Sequence, residues 1–270
     1  MRGVLIAIEG IDGAGKTTQA RMLAQALEAV GLEVVLTKEP TNGRWGRLLR
    51  ASAATGRLSP AEELDAFLRD RAEHVSGLVG PSLAAGKVVI VDRYYFSTAA
   101  YQGIRGFDAH ELLSRNEAFA PVPDVVLLLD VDPAAAVDRI IARDGKANEF
   151  ERVELLTQIR AVFKRLDRSC LVTLDASVGI DALHVAVWSA VFDGPLFRAL
   201  CRRTDGLAAC APTFCPLRDG CELLALNARR QPHGPTAAAA ATLDVLNDPT
   251  IPDGDKAAAL LARLKALGPS

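Results

Sequence analysis

The chain has 270 residues, half of them hydrophobic, and a formal net charge of −2 from 31 Lys and Arg against 33 Asp and Glu. That length suits one large α/β domain, or one domain with an appendage. The near-neutral balance, with no basic block, argues against nucleic acid as the main partner, and no apolar run approaches the ~20 residues that cross a membrane. Five cysteines, four of them crowded into one late segment, are an odd number that fits reduced thiols in a cytoplasmic protein.

The first apolar run, "VLIAIEG", predicts a buried strand over Val4–Ile8. It resembles a short secretion signal only superficially, because it leads straight into "GIDGAGKTT". There Gly10, Gly15, Lys16 and Thr17 fit the phosphate-cradle spacing G-x-x-x-x-G-K-[ST]. Glycines let backbone N–H groups turn toward one point, and the following helix aims its positive dipole end at the same place. Lys16 is then set to reach β- and γ-phosphates, with the Thr17 hydroxyl on Mg²⁺. A helix follows, with Met22, Leu23, Ala26, Leu27 and Val30 on one face.

Further strands are expected at Val34–Thr37, Val88–Val91, Val125–Val131 and Leu171–Leu174, separated by helical patterns up to about residue 192. This alternation predicts a parallel sheet covered on both faces, with ligands at the carboxyl ends of the strands. Those ends carry Glu9 and Asp12, Lys38-Glu39-Pro40, Asp92-Arg93-Tyr94 and Asp130-Val131-Asp132. Between the second and third strands, Leu64, Leu68, Val75 and Leu78 form a helical stripe that includes Arg71, with Phe67 one turn earlier. An arginine on a buried stripe needs an anionic or hydrogen-bonding partner. Phe67 and Arg71 also suit a planar base, a ring to stack on and a fork of donors.

Asp92 ends a buried strand, the usual place for a carboxylate that serves Mg²⁺, and Arg93 follows it, ready for a second phosphate. Ser97 and Tyr101 lie one helical turn apart in "DRYYFSTAAYQG". Arg139 and Arg143, also one turn apart, precede a polar break at Asp144–Asn148 that reads as a lid carrying cations. From residue 199 the texture changes. Cys201, Cys210, Cys215 and Cys221 are spaced too irregularly for a zinc site of two close pairs. A final helix carries Leu260, Leu261, Leu264 and Leu267 on one face.

Over residues 3–192 these blocks resemble the thymidylate kinase family of nucleoside monophosphate kinases. The resemblance is carried by "IAIEGIDGAGKTTQA", "VVLTKEP", "AFLRDRAEHV", "AAGKVVIVDRYYFSTAAYQG", "PDVVLLLDVDP" and "RIIARDG". It implies a P-loop NTPase sandwich of three layers around a five-stranded parallel sheet, with residues 1–198 as the kinase domain. Residues 199–270 remain as a small helical C-terminal appendage. The implied activity is ATP-dependent phosphorylation of dTMP to dTDP with Mg²⁺, by direct in-line transfer, in a homodimer.

The resemblance also implies roles. The loop Gly10, Asp12, Gly13, Ala14, Gly15, Lys16, Thr17 and Thr18 holds ATP, with Arg139 and Arg143. Lys38, Glu39, Pro40, Arg93, Ser97, Tyr101 and Gln102 surround dTMP, while Asp12 meets the sugar, Phe67 stacks on the base and Arg71 reads its edge. Lys16, Arg93 and Arg143 are the catalytic cations. Arg143 is the first candidate for the catalytic arginine, because Gly13-Ala14 stands where some relatives carry that arginine in the loop. Lys38 replaces an arginine, "TNGRWG" replaces a "PGGT"-like turn and Phe163 replaces a tyrosine. Two alternatives stay open at this level: another pyrimidine nucleotide as acceptor, and a non-catalytic nucleotide switch that uses the tail to bind partners.

Overall fold

The computed structural model describes residues 2–29, 31–56, 58–144 and 149–196, together with Thr250. Val30, residues 145–148 of the expected lid, the four late cysteines and the leucines of the final helix lie outside the described residues, as does the C-terminal appendage apart from Thr250. Five parallel strands form one sheet in the order β2-β3-β1-β4-β5. They are β1 Val4–Glu9, β2 Val34–Lys38, β3 Val88–Asp92, β4 Val125–Asp130 and β5 Leu171–Asp175. The central strand β1 is buried throughout, as its uninterrupted apolar run predicts.

Four strands run one residue past their expected ends, to Glu9, Lys38, Asp92 and Asp175, whereas β4 stops at Asp130, one residue short of Val131. The apolar pattern marks burial, but pairing extends to the polar strand ends: Ile8 and Lys38 both face Asp92, and Asp130 faces Asp175. The sheet therefore delivers its charged residues together at one edge, at the carboxyl ends.

Nine α-helices connect the strands among the described residues: α1 Lys16–Ala29, α2 Arg44–Thr55, α3 Pro60–His74, α4 Gly80–Ala84, α5 Tyr95–Gly103, α6 Ala109–Glu117, α7 Pro133–Asp144, α8 Glu149–Phe163 and α9 Ile180–Val191. Leu23, Ala26 and Leu27 of α1 are buried, as the helical face requires, and α1 packs against α9. α5 packs against α3, α6 and α8. Helix α3 starts at a capping box, in which the Ser59 side chain accepts from the Glu62 backbone and Glu62 reaches back to the Ser59 N–H.

One part of the α3 stripe is corrected. Leu64, Leu68 and Arg71 are buried, but Leu78 is exposed and Val79 takes its place in the core. A π-helical turn over Val75–Val79 widens the spiral there, so the 3.6-residue period misplaces the face by one position. Among the described residues, no helix is long and apolar enough to cross a membrane.

The turn between β2 and α2 departs most from the family pattern, and its packing is specific. The Thr41 N–H and hydroxyl both donate to the buried Asp70 carboxylate of α3, at 2.7 and 2.6 Å. Helix α2 crosses so closely that a Cβ on Gly46 would lie 1.9 Å from the Thr41 carbonyl oxygen. Gly46→Ala is expected to destabilise the protein by about 1–3 kcal/mol, in the range of overpacked cores. Chemical denaturation of the two proteins side by side measures it.

Candidate functional site

The phosphate loop spans the end of β1 and the first residue of α1. Lys16, the first residue of α1, is buried, and its Nζ donates to the Ile11 carbonyl oxygen at 2.7 Å. Burial, with the Arg93 guanidinium nearby, pulls its ammonium down to about 7. Gly13 has φ +82°, and a Cβ there would lie 2.3 Å from the Ala136 carbonyl oxygen of α7. The loop is thus pressed against α7, and a side chain at position 13 would force one of them to move.

A cavity of about 760 Å³ opens above this loop. It collects Asp12, Gly13, Ala14, Gly15, Lys16, Thr17, Thr18, Lys38, Glu39, Pro40, Asp92, Arg93, Arg139 and Arg143 from the residues that the sequence nominates. Gly10 is buried beneath it. The Thr17 hydroxyl donates to Asp92 Oδ2 at 2.5 Å. Asp92 Oδ1 is buried without a hydrogen-bond partner. A hydroxyl beside a carboxylate with an unused buried oxygen is a donor set that fits a hard divalent cation such as Mg²⁺.

Across the loop, Arg93 donates to Asp12 Oδ1 at 2.5 Å and to the Ser97 hydroxyl at 3.1 Å, and its guanidinium sits 5.2 Å from the Tyr101 ring centre. The Tyr101 hydroxyl donates to the other Asp12 oxygen at 3.2 Å. Burial opposes ionisation of Asp12, but Arg93 and Lys16 together hold its carboxyl below the ordinary value. Burial pushes the Tyr101 phenol up to about 12, so it stays a donor.

Six nominated residues do not line this cavity: Gly10, Phe67, Arg71, Ser97, Tyr101 and Gln102. Arg71 is 1% exposed. It meets Glu39 Oε2 through Nε at 2.9 Å and Nη2 at 2.5 Å, Asn116 Oδ1 through Nη1 at 2.6 Å, and the Thr98 hydroxyl at 3.1 Å. The partner that a buried arginine demands is therefore Glu39, whose other oxygen faces His74 Nδ1 at 2.9 Å. Phe67 is half-buried one turn earlier. Gln102 is fully buried, and neither amide atom has a hydrogen-bond partner. Ser97 is committed to Glu9 and Arg93 and makes no contact with the cavity.

The expected gathering of strand-end charges holds only in part. Asp130 is held by Arg160, at 2.5 Å from Nε and 2.9 Å from Nη2, and Asp132 accepts from the Ala134 N–H at the start of α7. Both act structurally. Glu9 too faces inward, and burial pushes its carboxyl up to about 7 against the hydrogen bonds from Ser97 and Tyr94.

The sequence reading missed the opposite wall. Gln19, Ile140 and residues 176–180 with Leu183 line the cavity together with Arg139, and so does Arg50 of α2. Arg139 donates to the Ala176 carbonyl oxygen at 3.0 Å. Gln19 Nε2 donates to the Ile180 carbonyl oxygen at 2.9 Å, while its Oε1 faces His184 Nδ1 at 3.1 Å. The rule that ligands sit beyond the carboxyl ends of a parallel sheet would have found residues 176–180, which follow β5. No comparable signal marks Arg50.

The cation in the loop yields a proton-linked expectation. Lys16 is largely neutral at pH 8 in the free protein, and a polyphosphate restores its charge, so binding a nucleoside triphosphate takes up a proton at that pH. Titration calorimetry in two buffers of different ionisation enthalpy measures the uptake, and Lys16→Met is expected to remove it.

Residues 8–187 match the family described as thymidylate kinase. The chain is similar to a thymidylate kinase of Xanthomonas euvesicatoria pv. vesicatoria (strain 85-10). The two are 53% identical over 195 residues, which cover 71% of this chain and 86% of that relative. A thymidylate kinase of Xylella fastidiosa (strain 9a5c) is 49% identical over 209 residues, covering 75% of this chain and 100% of the relative. With a phosphate loop, a strand-end aspartate and a second cluster of cations all facing one cavity, and with likeness of this extent, the chain belongs to the thymidylate kinase family.

Proposed function

We infer that the protein transfers the terminal phosphoryl group of ATP to dTMP. One observation carries this reading beyond family membership. The cavity gathers six cations from separate parts of the chain: Lys16 of α1, Lys38 of β2, Arg50 of α2, Arg93 after β3, and Arg139 and Arg143 of α7. A nucleotide switch needs one phosphate site. A phosphotransferase between two nucleotides needs two, held in line. The switch reading, and with it an interaction role for the tail, is therefore not favoured.

The donor phosphates lie on the loop amides and Lys16, with the base against residues 176–180. Asp92 and Thr17 would hold Mg²⁺, which would supply neutralisation of phosphate charge. Lys38 and Arg93 hold the acceptor phosphate. A lysine lacks the bidentate fork of an arginine; Arg50 adds a second cation to the same cavity, its guanidinium held by the Pro40 and Thr41 carbonyl oxygens at 2.9 and 2.7 Å. Phe67 stacks on the base and Arg71 reads its edge, with the unpaired amide of Gln102 as a further polar group for the substrate. Asp12 and Tyr101 border the sugar.

Arg143 is the catalytic arginine. Arg139 is tied to the backbone of the donor wall, whereas Arg143 stands one turn nearer the lid. Cytoplasmic location and a homodimer are part of the same reading. The kinase domain is residues 1–198, and residues 199–270 form a separate extension.

A phosphoryl-transfer screen of dTMP, dUMP, UMP, dCMP and thymidine with ATP and Mg²⁺ tests the function. Preference for dTMP is expected, and transfer to none of them would refute it. Arg143→Ala is expected to lower kcat at least tenfold with little change in the KM for dTMP, the pattern of an interaction made in the transition state. Arg139→Ala should chiefly raise the KM for ATP. Steady-state kinetics with each substrate varied separates the two. A chain ended after residue 198 is expected to keep transfer activity, because every residue assigned a role precedes that point. Activity of the purified truncated protein measures it.

A further inference from the structure

Arg93 is the single non-glycine residue with positive φ among the described residues, at +67°. That conformation is strained for a side chain with a Cβ, and it persists only where the surroundings hold it. Its own N–H donates to the Ile8 carbonyl oxygen at 3.0 Å. The rest of the turn is held by one side chain, Glu9, at the end of β1. Glu9 Oε1 accepts from the Tyr94 N–H at 2.7 Å and the Ser97 N–H at 3.1 Å, and Oε2 accepts from the Ser97 hydroxyl at 2.5 Å.

Helix α5 begins at Tyr95, and Tyr94 offers no side-chain cap. The amide groups of a helix's first turn lack partners within the helix and favour a negative group. Glu9 fills that place from 88 residues away along the chain. It carries a carboxylate to the N-terminus of α5, where a capping residue would ordinarily come from the helix itself. The same carboxylate fixes the Ser97 hydroxyl. Its proton goes to Glu9, so its lone pair is left to accept from Arg93 Nη1 at 3.1 Å. Glu9 thereby sets both the backbone of Arg93 and one anchor of its guanidinium. Glu9 is fully buried and does not line the cavity.

We propose that Glu9 is a positioning residue for the acceptor phosphate, acting through Ser97 and Arg93 without touching either nucleotide. The proposal rests on the reading of Arg93 as the acceptor-phosphate arginine. Glu9→Gln keeps the shape but turns an amide donor toward the Ser97 hydroxyl. Ser97 must then release its proton elsewhere and is pulled from Arg93.

Steady-state kinetics of Glu9→Gln, Ser97→Ala and the double variant, with ATP and dTMP varied separately, test this. The expected result is a rise of about tenfold or more in the KM for dTMP in Glu9→Gln, the scale of a lost hydrogen bond to a charged group. The KM for ATP should stay within about twofold, and Ser97→Ala should show the same bias more weakly. The double variant should be no worse than Glu9→Gln alone, because the two residues act in one line. An equal rise in both KM values, or an unchanged KM for dTMP in a folded Glu9→Gln protein, overturns the proposal. If Glu9→Gln does not fold, Ser97→Ala decides by the same criterion. Arg93→Lys separates the parent reading. An unchanged KM for dTMP in that variant overturns the role of Arg93 itself, whereas the expected loss there with no acceptor bias in Glu9→Gln overturns only the role of Glu9.

Discussion

The part of the cavity wall built on β2, α3 and α5 depends on one buried ion pair, Arg71 with Glu39. The partners approach to 2.5 Å, with side chains 1% and 4% exposed. Removing two such charges from water costs several kcal/mol each, and their mutual attraction offsets this only when the remaining donors and acceptors are also satisfied. Here they are satisfied from four elements. Thr98 of α5 and Asn116 of α6 take donors from Arg71, and His74 of α3 meets the second oxygen of Glu39 and passes on to Thr37 of β2 at 2.9 Å. The end of β2, the last turn of α3 and the first turn of α5 are therefore held in register by this cluster. Glu39 reaches the cavity wall from within this cluster.

The part around the phosphate loop is organised differently. It depends on backbone groups: loop amides, the first turn of α1 and the carbonyls of residues 176–180. Gln19 and Arg139 tie these to one another through long side chains. The two parts meet at Asp12, Lys16, Asp92 and Arg93, where charges of opposite sign alternate within a few ångströms. Phosphate groups entering from both sides would meet fields already oriented toward them, the condition under which electrostatic stabilisation of a transferring group is most effective.

Legibility in the sequence followed the range of the interaction. The phosphate loop is read easily because its parts lie within eight consecutive residues, and the strands are read from their apolar runs. The demand of Arg71 for an anionic partner was also readable, from its place on a buried stripe, although the identity of Glu39 was not. Leu78 was misplaced because a π-helical turn breaks the period on which the reading relied. Arg50, Gln19 and the wall after β5 enter the site through chain crossings that no local pattern records. The spacing of Ser97 and Tyr101 predicts that both face the pocket, but Ser97 does not line it and its hydroxyl belongs to Glu9, a relationship visible only after β1 and β3 are paired.

The contact of Gly13 with the Ala136 carbonyl oxygen has an evolutionary corollary. In this fold a side chain at position 13 would meet the start of α7 at its first carbon. Exchange of Gly13 is therefore not neutral by itself and calls for a shift of that helix. Position 13 and the first turn of α7 are constrained as a pair, and a chimaera that exchanges only one of them combines mismatched halves.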